Sequence, residues 1–218
     1  MRITRRSVLA IGALASGSGP TFAASSGAPQ PTPAQAMGPF YPVVDVAEST
    51  ADLTQRQGKT GAARGTPIHV TCTVLSVSGK PIHGAIVMIW QANAAGRYSH
   101  PRDSSAAPLD EHFVGHALLR TNKDGKVYFK TVKPGAYSDT PGTRRTPHIH
   151  YEVIGEEARL ITQMYFPDEP LNSTDRLLRE AAASGVDIRR LIASPARSVK
   201  APDGAPMALE WSIVLEGS

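Results

Sequence analysis

His148 and His150 flank a single residue in Pro147-His148-Ile149-His150-Tyr151-Glu152-Val153. On an extended strand alternate side chains share a face, so the two imidazoles would stand about 7 Å apart on one side, with Ile149 and Tyr151 on the other. Neutral imidazoles held in this way are a natural pair of metal ligands. Taken alone the pair is a weak signal, and two solvent-facing strand histidines are an equal reading. Tyr137 stands 11 residues before His148, in Lys133-Pro134-Gly135-Ala136-Tyr137, where a Pro-Gly turn aims a side chain sharply. Tyr98 lies 39 residues further upstream. Two phenolates and two imidazoles would form a hard, anionic donor set, better suited to a trivalent cation than to zinc, with ferric iron the candidate. Such a cation would ionise the phenols well below their free pKa of about 10. Spacing alone does not bring the tyrosines to the histidines, and ordinary strand aromatics are the other reading. A zinc hydrolase site on His148 and His150 with a carboxylate such as Glu152 is a further alternative, one that leaves both tyrosines unused.

The elements that must carry these groups read as strands. Ile68, Val70, Cys72 and Val74 alternate with His69, Thr71 and Thr73, the period of a half-buried strand. The continuous apolar run Ala85–Trp90 predicts a strand buried on both faces. Phe113–Thr121 and Lys126–Val132 flank Asn122-Lys123-Asp124-Gly125, a strong hairpin signal. Further strands are expected at Pro147–Ile154, Arg159–Phe166 and Met207–Leu215. Ser173–Ala183 and Asp187–Ile192 predict short helices, the first capped by Ser173 or Thr174. Seven short strands at turn-punctuated spacing favour an all-β antiparallel sandwich over residues 67–218, preceded by an extended arm over 24–66.

Charge first points elsewhere. The 218-residue chain carries a net charge of +4, and its pI is near 9.3, which suggests nucleic acid or an anionic surface as partner. But Arg2, Arg5 and Arg6 sit in a basic start followed by a short apolar run and a small-residue cleavage site near Thr21-Phe22-Ala23. Thr4-Arg5-Arg6-Ser7-Val8-Leu9 resembles a twin-arginine signal, and the apolar run is too short to span a membrane. Loss of residues 1–23 removes three of 23 bases and none of 19 acids, so the mature chain is nearly neutral. Nucleic acid is thereby excluded as a charge-driven partner, no membrane anchor is expected in the mature form, and the periplasm or another exported location is the expected address. The single cysteine, Cys72, excludes an internal disulfide and any multi-cysteine metal site, and reads as core. His69, His83, His100, His112 and His116 read as solvated or hydrogen-bonded.

Several segments in order carry a resemblance: Trp90-Gln91-Ala92-Asn93, Gly96-Arg97-Tyr98, Ala107-Pro108-Leu109-Asp110, Lys133-Pro134-Gly135-Ala136-Tyr137 and Arg145-Thr146-Pro147-His148-Ile149-His150. Together they resemble the intradiol ring-cleavage dioxygenases, most closely the iron-binding subunits that cleave protocatechuate, over roughly Pro81 to Phe166. The arm around Gly38-Pro39-Phe40-Tyr41-Pro42 is similar to the opening of family members. The resemblance implies the transthyretin-like sandwich of that family and a non-haem Fe(III) held by Tyr98, Tyr137, His148 and His150. It implies that Tyr137 is displaced when substrate chelates the metal, that Arg145 sits over the substrate, and that Gln163 supports Arg145. The implied reaction opens a catecholic ring with O2 between its two hydroxyl-bearing carbons, giving a cis,cis-muconate-type product. The stretch Ser138–Arg144 is short and lacks a tryptophan that the protocatechuate enzymes carry there, so the particular catechol is left open. A homo-oligomer is also left open, and a non-catalytic binding module or iron-free companion subunit is the alternative function.

Overall fold

The structure, a computed structural model, describes residues 28–43, 50–138, 142–196 and 207–217. The leader expected over 1–23 lies outside the described residues. Two four-stranded sheets face each other. Pro67–Ser76 (β1), Lys126–Val132 (β4), Ser194–Pro195 (β7) and Met207–Leu215 (β8) form one, in the order β4-β1-β8-β7. Ile86–Trp90 (β2), His116–Arg120 (β3), His148–Ile154 (β5) and Arg159–Tyr165 (β6) form the other, in the order β3-β2-β5-β6. Among these eight strands every pairing is antiparallel except β1 with β8, which run parallel. The antiparallel sandwich expected from the strand spacing is therefore present, with one parallel pair inside it.

Alternation decides which side chains meet between the sheets. Ile68, Val70, Cys72 and Val74 of β1 join Leu209, Trp211 and Ile213 of β8, and they pack against Val87, Ile89, Ile149, Tyr151 and Val153 of the second sheet. Cys72 is part of this core, and burial pushes its thiol well up. The other face of β5 carries His148, His150 and Glu152, and these too are buried. They are covered because the outer face of this sheet supports a second apolar cluster. Met88, Trp90, Ala92 and Tyr98 form it, flanked by Phe40, Tyr41, Leu118, Tyr137 and Ile161.

The arm supplies that cover. Thr32 exchanges backbone and side-chain hydrogen bonds with Val214, and the Gln35 N–H donates to the Ile161 carbonyl. Leu53 is fully buried in the main core, its N–H bonded to Lys130. Burying a leucine contributes about 1.5–3 kcal/mol, so this irregular segment is tied down as firmly as a strand.

Two local expectations are corrected. Asn122–Gly125 forms the turn its residues favour: the Asn122 carboxamide oxygen accepts from the Asp124 and Lys126 N–H groups, and Gly125 adopts a φ of +70°. The turn does not make a hairpin, however, because β3 pairs with β2 and β4 with β1, in different sheets. Local turn chemistry fixes the reversal, whereas partner choice follows burial on either side of the core. The predicted helix begins later than expected. Pro170–Ser173 is a separate 3-10 turn, and the helix Arg176–Ala183 (α1) is capped by Asp175, whose carboxylate accepts from the Leu178 N–H.

Candidate metal centre

Strand register lines up the site. Trp90, His150 and Gln163 are directly opposite one another across β2, β5 and β6, and His148 faces Tyr165 in the next row. The Trp90 indole lies flat on the His150 ring, with centroids 4.8 Å apart and planes within 7°. His148 Nδ1–H donates to the Thr146 carbonyl at 2.7 Å, which turns the Nε2 lone pair toward the site.

Tyr98 and Tyr137 arrive on two loops that touch backbone to backbone. A Cβ on Gly135 would stand 2.5 Å from the Ala94 carbonyl oxygen, and one on Gly96, at φ +83°, 2.6 Å from that of Ala136. Both positions therefore require glycine. The first loop is held by Asn93, whose side-chain oxygen accepts from the Ala95 and Arg97 N–H groups, and by Asp103, which accepts from the Tyr98 N–H at 2.7 Å. The second is pinned by the Arg145 N–H donating to the Tyr137 carbonyl at 2.7 Å.

All four donors expected from the sequence come together. The Tyr98 and Tyr137 hydroxyls are 3.5 Å apart, the Tyr137 hydroxyl is 3.4 Å from His148 Nε2, and the two Nε2 atoms are 3.2 Å apart. Metal bonds of about 2.0–2.2 Å place tetrahedral ligand atoms roughly 3.3 Å from one another, so these separations are those of a shell around one cation. Among the described residues no group of three or more His, Cys, Asp or Glu is placed to hold a metal. A cation held by more side chains than the two imidazoles would therefore draw on the phenols. Glu152 is already engaged on both oxygens, by the Tyr41 hydroxyl at 2.6 Å and the Arg159 guanidinium at 2.5 Å. The zinc arrangement with Glu152 is thus not formed.

Electrostatics agree with a hard cation. Burial, then Tyr137, raises the Tyr98 phenol well above its ordinary value, so that a strong local positive charge is needed to ionise it. Burial, then His148 and Arg145, drives His150 well below the usual imidazole value, leaving it in the neutral, ligating form. The residues present fit a ferric ion.

Arg145 lies beside this cluster, only 4% exposed. Its guanidinium donates to Gln163 Oε1 at 2.7 Å, to the Tyr165 hydroxyl at 3.3 Å and to Asp175 Oδ2 at 2.8 Å. Burial works against its charge, but Tyr165 and Asp175 more than restore it and hold its pKa up. Asp175 and Tyr165 were not singled out by residue type or spacing. A helix-capping acid after a Ser-Thr pair was the one available signal for Asp175.

The arm completes the enclosure. Phe40 stacks on Tyr98 at 4.6 Å and sits edge-on to Tyr137, Tyr41 meets Trp90 edge-on, and the backbone of Gly38 lies against His150. Gln163 Nε2 donates to the Ala36 carbonyl at 2.7 Å.

Comparison with known proteins points to one family. The family model described as dioxygenase matches residues 36–217. The protocatechuate 3,4-dioxygenase beta chain of Burkholderia cepacia is 39% identical over 183 residues, covering 82% of this chain and 77% of that one. Catechol 1,2-dioxygenase 1 of Acinetobacter lwoffii is 34% identical over 119 residues, 48% of this chain and 37% of that enzyme. Among solved structures, the dioxygenase domain of a dioxygenase carbohydrate-binding protein fusion from Streptomyces sp. SirexAA-E superposes with a TM-score of 0.64 at 27% identity, covering 87% of this chain and all of that domain. The chlorocatechol dioxygenase of Rhodococcus opacus, at 19% identity and a TM-score of 0.66, shares the fold. With its sandwich, its converging tyrosines and histidines and these relatives, the chain belongs to the intradiol ring-cleavage dioxygenases.

Proposed function

We propose that this protein is an exported ferric dioxygenase that opens a catecholic ring between its two hydroxyl-bearing carbons, with Tyr98, Tyr137, His148 and His150 as the iron ligands. The observation that carries the reading is the convergence of two phenol oxygens and two Nε2 atoms within 3.5 Å steps on an enclosed face. When bound, the iron would supply the Lewis acidity that lets a catechol give up both hydroxyl protons, and the doubly ionised ring is the electron-rich form that reacts with O2.

The chain's own groups do the rest. Tyr137, half-buried where Tyr98 is buried, would accept a proton at its phenolate oxygen from one catechol hydroxyl as the substrate settles. Arg145, fixed by Gln163 and Asp175, places a positive charge beside the ring and stabilises negative charge building there. Phe40 and Trp90 wall the ligands with apolar surface and keep bulk water from them. Relatives named for protocatechuate, catechol and hydroxyquinol share the catechol unit, which is the part this centre addresses.

The test is the iron-loaded mature protein. It should be wine-red from tyrosinate-to-iron charge transfer, consume O2 with catechols and release a muconate-type diacid. A colourless protein saturated with zinc, or full ring cleavage by the Tyr137→Phe/His148→Ala double variant, would overturn the proposal.

A further inference from the structure

We propose that the arginine-lined cleft beside Arg145 receives an anionic arm of the substrate, so that this enzyme prefers catechols carrying an extended carboxylate over bare catechol. The inference rests on the dioxygenase reading above and names the substrate class of that site.

The cleft has a volume of about 730 Å³ and runs between Gly142–Arg145 and α1. Its lining includes Arg144, Arg145, Arg176 and Arg179, and among the described residues Glu180 is its one acid. Two of the four guanidiniums are neutralised in place. Arg145 faces the buried Asp175, and Arg176 bonds Glu180 at 3.0 Å along the helix. Arg144 and Arg179 meet no carboxylate among the described residues. Two arginines that meet no carboxylate among the described residues thus share one cleft with Arg145, the residue that the dioxygenase reading sets beside the ring.

Size points the same way. Ligand clefts of roughly 300–1,000 Å³ hold molecules well beyond one small ring. A substrate that filled only the space at the four metal-binding side chains would leave this volume unused. Guanidinium forks match a carboxylate bidentately, and at a partly open cleft such contacts act mainly on binding and weaken with salt. Arg145 belongs to both places, so a ring held beside its guanidinium can project its substituent toward Arg144 and Arg179.

The experiment compares 3,4-dihydroxycinnamate with its neutral methyl ester, which has the same ring and nearly the same length. With the iron-loaded enzyme, kcat/KM for the acid should exceed that for the ester by about tenfold, through KM, and the gap should narrow as salt rises. The Arg144→Ala/Arg179→Ala double variant should lose the gap, and Arg144→Lys/Arg179→Lys should keep part of it. Equal KM for acid and ester in the wild type, or an undiminished gap in the alanine double variant, overturns the proposal. Anaerobic calorimetry with the same two compounds separates it from the reaction itself. Tighter binding of the acid, lost in the double variant, upholds the cleft even if no ring is opened; equal binding of acid and ester overturns it.

Discussion

Asp175 shows how much one side chain can organise. It caps α1 through one oxygen, and with the other it accepts from both the Arg145 guanidinium and the Thr146 N–H, two residues before the first histidine. Burial alone would raise its carboxyl, but Arg145 and the two backbone donors hold it below the usual value. Both side chains are almost wholly buried, at 5% and 0% exposure, so Asp175→Asn leaves a buried guanidinium uncompensated. A loss of about 3–5 kcal/mol is expected. The sign with pH follows: stability from a depressed carboxyl is present above its ordinary pKa of about 3.9 and is lost as pH falls through the folded value. Urea titrations should therefore show a constant wild-type advantage at neutral pH that shrinks below about pH 4. Because Asp175 is not a ligand, the variant should keep its charge-transfer band while kcat falls. A variant that lost the band together with activity would place Asp175 in the metal shell instead.

At the scale of elements, the two tyrosine loops and the arm are what turn a sandwich face into a centre. Gly135→Ala forces a methyl into the Ala94 carbonyl, 2.5 Å away, and must part the loops. Overpacking of this kind costs about 1–3 kcal/mol, and here the strain falls on the separation of Tyr98 and Tyr137. Iron content after dialysis against a chelator should drop more sharply than Tm. The arm is clasped by Tyr41, whose hydroxyl donates to Glu152 on the strand that carries both histidines. Burial, then Glu152, pushes this phenol up to about 12. The clasp is accordingly whole below a pH of about 10 and fails as pH rises toward 12. Tyr41→Phe should speed iron release at neutral pH, and the difference from wild type should vanish once the tyrosine ionises. These elements were unequally legible in the sequence. β1 and β8 are plain because a two-residue period reports burial directly. The pairing of β3 and β4 with other strands is not, because Asn122–Gly125 records a reversal and nothing about partners. The arm carries no period at all, since Phe40 and Tyr41 find their neighbours one at a time across the fold, and Leu53 enters the core from irregular backbone.

Over the whole molecule, charge and cysteine content bear on how the protein reaches its place of work. The basic excess lies largely in Arg2, Arg5 and Arg6, and the lone cysteine is buried in the core, so oxidising surroundings offer this chain no disulfide to form. A ligand set drawn from three separate loops and strands exists only after folding, which means iron can be held only by the finished domain. An export route that carries folded proteins is the one compatible with loading iron beforehand, and we propose that the Arg5-Arg6 pair addresses the chain to such a route. The Arg5→Lys/Arg6→Lys variant should therefore accumulate inside the cell at full length, folded and coloured, while the wild type appears outside the cytoplasm with its leader removed near residue 23. Fractionation with absorption spectra on each fraction distinguishes the outcomes. Equal export of both forms would detach the arginine pair from targeting. A colourless intracellular variant that reddens only on addition of iron outside the cell would show that loading follows export.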